Sequence, residues 1–186
     1  MNTSSSQTDA GNFRLEEAIA LLDRTPRTLE ALLSGLDRAW VDANEGEGTW
    51  TAHQVVIHLL QTERSSWIPR VQHILQGNTA PFPPVDRTAG FDEGSTLSMQ
   101  ELLDQFADQR RANLETLRGI NPSPDQLALT GQHPQFGTVQ LGQLLATWTV
   151  HDLTHLAQIA RVMAKRYTHD VGPWIANLSI LQDRNV

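Results

Sequence analysis

Cysteine is absent from the 186 residues of this chain, which excludes disulfide bonds, thiolate metal sites and a cysteine nucleophile. Any transition metal would therefore have to bind through nitrogen and oxygen atoms. Long apolar runs are also missing, since none approaches the roughly 20 residues that cross a bilayer. The first residues show neither the basic start nor the apolar segment of an export signal. We therefore expect a cytoplasmic protein with no membrane partner.

A basic surface stripe is the third absence. The 14 lysines and arginines are scattered along the chain, and the formal net charge of −7 would repel a phosphate backbone. We therefore expect no nucleic-acid partner, and favour a small-molecule substrate or a second copy of the chain. A hydrophobic content of 39% is typical of a globular protein with one sizeable core.

The composition changes once near the N-terminus. Residues 1–11 are rich in Ser, Thr, Asn and Gln and predict a disordered tail. Residues 12–186 are expected to form a single helical domain. A first helix is predicted with Asn12 as its N-cap, and Pro26 interrupts it, so that Thr25 is expected to cap a restarted helix.

Two capping boxes mark the next helices. Thr51 and Gln54 predict a helix that continues to about residue 75, with a kink at Pro69. Ser98 and Glu101 predict the start of a third helix by the same pattern. In each box the two side chains satisfy backbone N–H groups that the first turn leaves free, so both boundaries are well defined.

The remaining segments complete a helical fold. Residues 77–97 are rich in proline and glycine and predict a packed surface loop, while residues 127–137 predict a turn or hairpin. Thr138 is expected to cap a fourth helix that runs to about Arg166, and residues 173–181 a short closing helix. Four main helical segments without a set of strands predict an all-α, up-and-down four-helix bundle.

The fourth helix has a polar centre on the face expected to be buried. His151 and His155 are four residues apart, hence about 40° apart around the axis, and share one face. An unsatisfied polar group in the core costs about 1–3 kcal/mol, so these imidazoles need partners. The face consists of Leu144, Trp148, His151, His155, Gln158 and Val162.

His58 supplies such a partner. It lies in an otherwise apolar block of the second helix, and a third imidazole facing a His-x-x-x-His pair gives an open three-histidine site for zinc or a similar divalent ion. The alternative is that all three are hydrogen-bonded core histidines. The weaker candidates, expected near helix ends or away from this face, are His53, His73, His133 and His169.

Four further polar residues have two interpretations each. Gln158 is expected either to orient a bound water or substrate or to be a core amide bonded to a backbone carbonyl. Arg110, in the polar middle of the third helix, either binds an anionic substrate or thiol carboxylate or lies over the bundle surface. Glu63 is a poor ligand but a candidate partner for a histidine of another helix. Asp152 is expected to face solvent or to join a contact between helices.

Four stretches of the chain resemble one known family. Together they resemble the DinB-like, or YfiT-like, four-helix-bundle superfamily over roughly residues 12–182, nearly the whole chain. The helix-two histidine and the His-x-x-x-His-x-x-Gln-Ile stretch are the most specific parts. The stretches are residues 50–59, 133–141, 151–161 and 172–174.

The resemblance implies a divalent metal, typically zinc or nickel, held by His58, His151 and His155. It also implies a homodimer. The activities found in this superfamily are thiol-dependent S-transfer, the isomerisation of maleylpyruvate with a low-molecular-weight thiol, and metal-dependent hydrolysis, and the resemblance implies one of these. In an open three-histidine site the metal lowers the pKa of a bound water or thiol and so supplies a nucleophile. Two hypotheses therefore remain. The first is a metal-dependent enzyme, either an S-transferase that uses a low-molecular-weight thiol as cosubstrate or a hydrolase. The second is a metal-binding or self-associating bundle without catalysis.

Overall fold

The computed structural model of the protein describes residues 13–182. The predicted tail at residues 1–11 and the predicted cap Asn12 lie outside the described residues, and the single domain over 12–186 stays a prediction. Within residues 13–182, no helix combines the length and the apolar character that crossing a membrane requires.

Most of the described chain is helical, with one β-hairpin and two 3₁₀ helices near the end, Gly172–Asn177 and Ser179–Leu181. The strands are β1 (Thr130–His133) and β2 (Gly137–Gln140), which pair antiparallel. The α-helices are α1 (Leu15–Leu22), α2 (Thr25–Leu33), α3 (Arg38–Val41), α4 (Ala52–Ser65), α5 (Trp67–Leu75), α6 (Phe91–Gly94), α7 (Met99–Ile120), α8 (Pro124–Leu127) and α9 (Leu141–Lys165).

Four long segments form a helical bundle, as predicted. The first consists of α1 and α2, the second of α4 and α5, and the third and fourth are α7 and α9. The first segment packs mainly on α7 and α9, and the second segment packs on the same two helices from the other side. The first and second segments therefore lie diagonally opposite each other, although they follow one another in sequence.

The second and third segments run in the same direction, which corrects the predicted up-and-down alternation. His53 Nε2 donates to the carbonyl of Leu97 near the start of both segments, and further along both of them Arg110 pairs with Glu63. The connection of residues 76–98 returns along the bundle and makes this path possible, as long crossover connections do in other bundles.

That connection is packed, as expected, and it contains local structure that its prolines and glycines do not predict. Phe82 is 1% exposed, and the neighbouring Pro81 forms a bridge with Gln132 of β1. The short helix α6 follows, where a Cβ on Gly94 would come within 2.6 Å of Ile57. The connection is thus fixed to the hairpin and to α4.

Two predicted helix details are wrong by a few residues. The second segment breaks at Ser66, between α4 and α5, and not at Pro69. Pro69 has no N–H, and its ring clashes with the carbonyl four residues earlier, so the disturbance falls one turn upstream. Thr25 is the first residue of α2, whose N-cap is Arg24 without a side-chain bond.

The start of the last long helix also differs from the prediction. The hairpin expected around residues 127–137 is present, but it extends far enough to place Thr138 in β2. The helix instead begins after Gln140, whose backbone N–H donates to Oε1 of Gln143 at 2.9 Å. The closing segment at residues 173–181 is 3₁₀ and not α-helical.

The apolar interior consists of two clusters with charged residues between them. One cluster contains Trp67, Leu114 and Trp148, and the other contains Leu60 and Phe106 with their neighbours. Along each of the helices α4, α7 and α9, buried polar residues lie in the sequence between these clusters. We call the buried set Glu63, Arg110, Asn113 and Asp152 the ionic layer.

Packing of the hairpin on the bundle gives a stability prediction. A Cβ on Gly131 would lie 2.8 Å from Ile74 and 2.8 Å from Phe82, so Gly131→Ala is expected to cost about 1–3 kcal/mol through overpacking. Gly119, in α7, has no such atom within 4 Å, and Gly119→Ala is expected to stabilise by up to about 1 kcal/mol. Urea denaturation of both variants checks this, and midpoints that move in the same direction would contradict it.

Candidate metal centre

Two antiparallel helices bring together the three histidines predicted as ligands. His58 lies on α4, and His151 and His155 lie one turn apart on α9. His151 Nε2 is 3.2 Å from His58 Nε2 and 3.2 Å from His155 Nε2. His58 and His155 are buried, and His151 is half-buried.

The spacing of these nitrogens fits a small metal ion. A tetrahedral ion with zinc–nitrogen bonds of about 2.0–2.1 Å separates its ligand nitrogens by about 3.3–3.4 Å. The two measured separations of 3.2 Å are close to that value, and ligand nitrogens of all three residues lie within 4.8 Å of one another. Three ligands leave the fourth position free for water or substrate.

The hydrogen bonds on the far side of two rings fix their protonation. His58 Nδ1 lies 3.1 Å from the carbonyl of Arg87, and His155 Nδ1 lies 2.8 Å from Oε1 of Gln158. Both Nδ1 atoms must therefore carry the proton, which leaves a lone pair on each Nε2.

His151 cannot satisfy both of those lone pairs. Its Nε2 faces the two other Nε2 atoms, and a single N–H can donate well to only one of them. Its Nδ1 is buried without any hydrogen-bond partner in the described structure. A cation at the centre of the three Nε2 atoms resolves the conflict, so the donor set fits a metal.

Burial keeps these imidazoles neutral, which is the form that binds metal. Burial, followed by the charge of neighbouring imidazoles, lowers the pKa of His58 to about 4 and that of His151 to about 3. Burial also lowers the pKa of His155, against the bond to Gln158, which raises it. All three rings are therefore neutral at neutral pH and able to bind a metal.

The ionic layer lies next to this cluster along the helices. Arg110 donates from Nη1 and Nη2 to the two carboxylate oxygens of Asp152, at 2.6 and 3.1 Å, and from Nη2 to Glu63 at 2.8 Å. Trp148 Nε1 and Asn113 Nδ2 also donate to the Glu63 carboxylate, at 2.8 and 2.9 Å. Two carboxylates and one guanidinium give the layer a net charge of −1, which favours a cation nearby.

This arrangement corrects three expectations. Arg110 is 1% exposed and its Nη atoms are held by protein carboxylates, so it neither lies over the surface nor is free for an anionic substrate. Glu63 bonds Arg110 and not a histidine. Asp152 is 2% exposed, which rejects a solvent-facing position and confirms the contact between helices.

Gln158 has a role that neither expectation described. Its Oε1 accepts from His155 Nδ1, and within residues 13–182 no bond joins its side-chain amide to a backbone carbonyl. Gln158 is thus a residue that fixes the tautomer of His155, as hydrogen-bond partners of metal-binding histidines commonly do. That Gln158 orients a bound water or substrate stays a prediction.

Two residues at the cluster were not singled out from the sequence. The Trp50 ring packs on His58 with ring centroids 4.9 Å apart and on His155 at 6.2 Å, while Arg87 provides the carbonyl bonded to His58. Both come from irregular segments, where no periodicity indicates which way a side chain points. The other four histidines stay outside the cluster: His53 bonds Leu97, His73 bonds Ala80, His133 accepts from its own turn and His169 is exposed.

Comparisons with known proteins agree with this geometry. The sequence model of the DinB superfamily matches residues 21–159, a range that includes all three histidines of the cluster. A protein of Oceanobacillus iheyensis, provisionally named a metal-dependent hydrolase, is 24% identical over 157 residues. That alignment covers 83% of this chain and 89% of the relative.

Solved structures show the same fold. YfiT from Bacillus subtilis, described as a probable metal-dependent hydrolase with an unusual four-helix bundle topology, superposes with a TM-score of 0.73 at 20% identity, covering 89% of this chain and 95% of YfiT. The mycothiol-dependent maleylpyruvate isomerase superposes with a TM-score of 0.60 at 18% identity, covering 88% of this chain and 72% of the isomerase. These likenesses confirm the predicted four-helix bundle.

Proposed function

We propose that this chain, which belongs to the DinB superfamily, is a metal-dependent enzyme acting on a small molecule through a divalent ion, zinc or nickel, held by His58, His151 and His155. The observation that carries the proposal is the convergence of three Nε2 atoms, two of which present lone pairs because their Nδ1 protons are bound elsewhere. A metal held by three neutral ligands lowers the pKa of a water or thiol in its open position and so yields a nucleophile at neutral pH.

The protein's own groups prepare that position. The Arg87 carbonyl and Gln158 keep two imidazoles in the binding tautomer, and Trp50 covers the same two rings, limiting access of water. We place the approach of the small molecule beside His151, the half-buried residue of the three. The relatives support the choice of reaction only at this coarse level, since they include a named hydrolase and a thiol-dependent isomerase.

Two assays separate the reaction types. Purified protein is expected to bind about one divalent ion per chain, measured by elemental analysis. A metal-dependent rate with esters or amides and no thiol would select a hydrolase, whereas a rate that also requires one low-molecular-weight thiol and an electrophile would select an S-transferase. Protein that binds no divalent ion would refute the proposal. Metal binding without a rate in either panel would favour the non-catalytic metal-binding or self-associating bundle.

The homodimer and the absence of nucleic-acid and membrane partners stay predictions.

A further inference from the structure

Arg87 is connected to the three-histidine cluster by its backbone and, through Trp50, by its side chain. Its carbonyl accepts from His58 Nδ1 at 3.1 Å, which anchors the 76–98 connection to the cluster. Its guanidinium carbon lies 5.7 Å from the centre of the Trp50 ring, and that ring packs on His58 and His155. The Arg87 cation is therefore held on the aromatic side chain that covers the histidines.

Within residues 13–182, no carboxylate neutralises this cation. None of the ion pairs in that part of the chain includes Arg87. The adjacent carboxylate, Asp86, is engaged instead by the N–H and the hydroxyl of Thr88, each at 2.9 Å. The cation–π contact with Trp50 keeps the guanidinium near that ring without cancelling its charge, and the side chain is exposed.

Such a guanidinium is suited to bind an oxyanion. Its planar fork matches the two oxygens of a carboxylate, and an uncancelled cation beside the site attracts anions locally although the chain as a whole carries −7. Arg110, the buried arginine of the neighbouring ionic layer, has both Nη atoms bonded to the carboxylates of Asp152 and Glu63. Arg87 is thus the cation that remains available to a ligand at the cluster.

We propose that Arg87 is a binding residue that recognises a carboxylate on the molecule held at the three-histidine site, so that the ligands of this protein are small carboxylate-bearing compounds. The inference rests on the proposed function, because it takes the cluster to be the place where the small molecule binds. The carboxylate belongs either to a thiol cosubstrate or to the second substrate. In both cases the guanidinium of Arg87 pairs with a carboxylate.

The electrostatics of the cluster agree with this placement. After burial, which is the largest cause, the charge of Arg87 contributes to lowering the pKa of His58, His151 and His155. The guanidinium therefore acts on all three rings and not only on the one that its own carbonyl contacts.

Binding to the cobalt-loaded protein tests the proposal without an activity assay. The visible spectrum of Co²⁺ reports whether the metal is bound and how it responds to added ligand. One arm compares 3-mercaptopropionate with the neutral 3-mercaptopropionamide, and mercaptoacetate with mercaptoacetamide. The second arm compares succinate with succinamide as ligands that carry no thiol. In at least one of the two arms, we expect the carboxylate to bind about tenfold more tightly than the matching amide.

Variants then assign that preference to Arg87. Arg87→Gln is expected to abolish the preference while the amides bind as before, and Arg87→Lys to keep part of it. Arg27→Gln removes the same charge from the exposed part of α2 and is expected to keep the full preference. The thiol arm and the succinate arm distinguish a carboxylate on the cosubstrate from one on the second substrate.

Two results would overturn the inference in different ways. Cobalt that binds normally but shows equal affinity for acids and amides in both arms, or a preference that survives Arg87→Gln, refutes the role of Arg87 and leaves the metal enzyme standing. A protein that takes up no cobalt refutes the proposed function and the inference with it.

Discussion

Replacing Arg110 with alanine is expected to lower the free energy of unfolding by about 3–5 kcal/mol, because it strands buried carboxylates without their counterion. Asp152 and Glu63 are 2% and 1% exposed, and Arg110 bonds both. Its Nη1 also donates to the carbonyl of Leu22 at 2.8 Å, so each of the three other bundle segments loses a contact. Urea denaturation followed by circular dichroism measures the loss.

The neighbouring Arg111 provides the matched control. It pairs with Asp108 on the surface, where both side chains are largely exposed, and Arg111→Ala is expected to change stability by less than about 1 kcal/mol. If Arg110→Ala yields no folded protein, Arg110→Lys keeps a positive charge without the two-pronged contact and is expected to be destabilised but measurable. Equal stability of the Arg110 and Arg111 alanine variants would contradict the role of the ionic layer.

Local sequence signals predicted the helix boundaries best. The capping boxes of Thr51 with Gln54 and of Ser98 with Glu101 are both present in the structure, because they depend only on residues three positions apart. Thr138 was assigned wrongly because a threonine before an apolar run is equally typical of a strand. Pairing with β1, in which Thr138 lies opposite Gln132, places Thr138 in a strand.

Helix periodicity predicted which residues share a face but not which residues meet across faces. His58, His151 and His155 were expected on core-facing sides, and the structure brings them together. Arg110 and Asp152 were also on polar parts of their helices, yet their pairing depends on how α7 and α9 are placed around α4. That placement is set by the long 76–98 connection, which makes α4 and α7 run in the same direction, and no local pattern encodes it.

Residues from irregular segments escaped prediction altogether. Trp50 precedes a helix and Arg87 lies in the proline-rich connection, so neither belongs to a periodic face. Their positions follow from tertiary contacts, such as the burial of Phe82 and the bond from His58 to the Arg87 carbonyl. Arg87, which is proposed to recognise the ligand, was therefore harder to predict than the three histidines that are proposed to bind the metal.

Replacing His151 with alanine is expected to weaken metal binding on the order of 10²- to 10³-fold, because one of the three proposed ligands is removed and the Nε2 atom between the other two is lost. Competition with a chromophoric chelator measures the affinity of the purified protein.

Two further variants serve as an intermediate case and a control for this measurement. Gln158→Ala removes the hydrogen bond that fixes the His155 tautomer and is expected to cost a smaller factor, about 10- to 100-fold. His169→Ala, at an exposed position, is expected to change nothing. The graded order of the three effects follows from the proposed roles: a ligand, the hydrogen-bond partner of a ligand, and a histidine with neither role. Equal affinities for His151→Ala and His169→Ala would mean that the metal binds elsewhere and that the three rings are hydrogen-bonded core histidines.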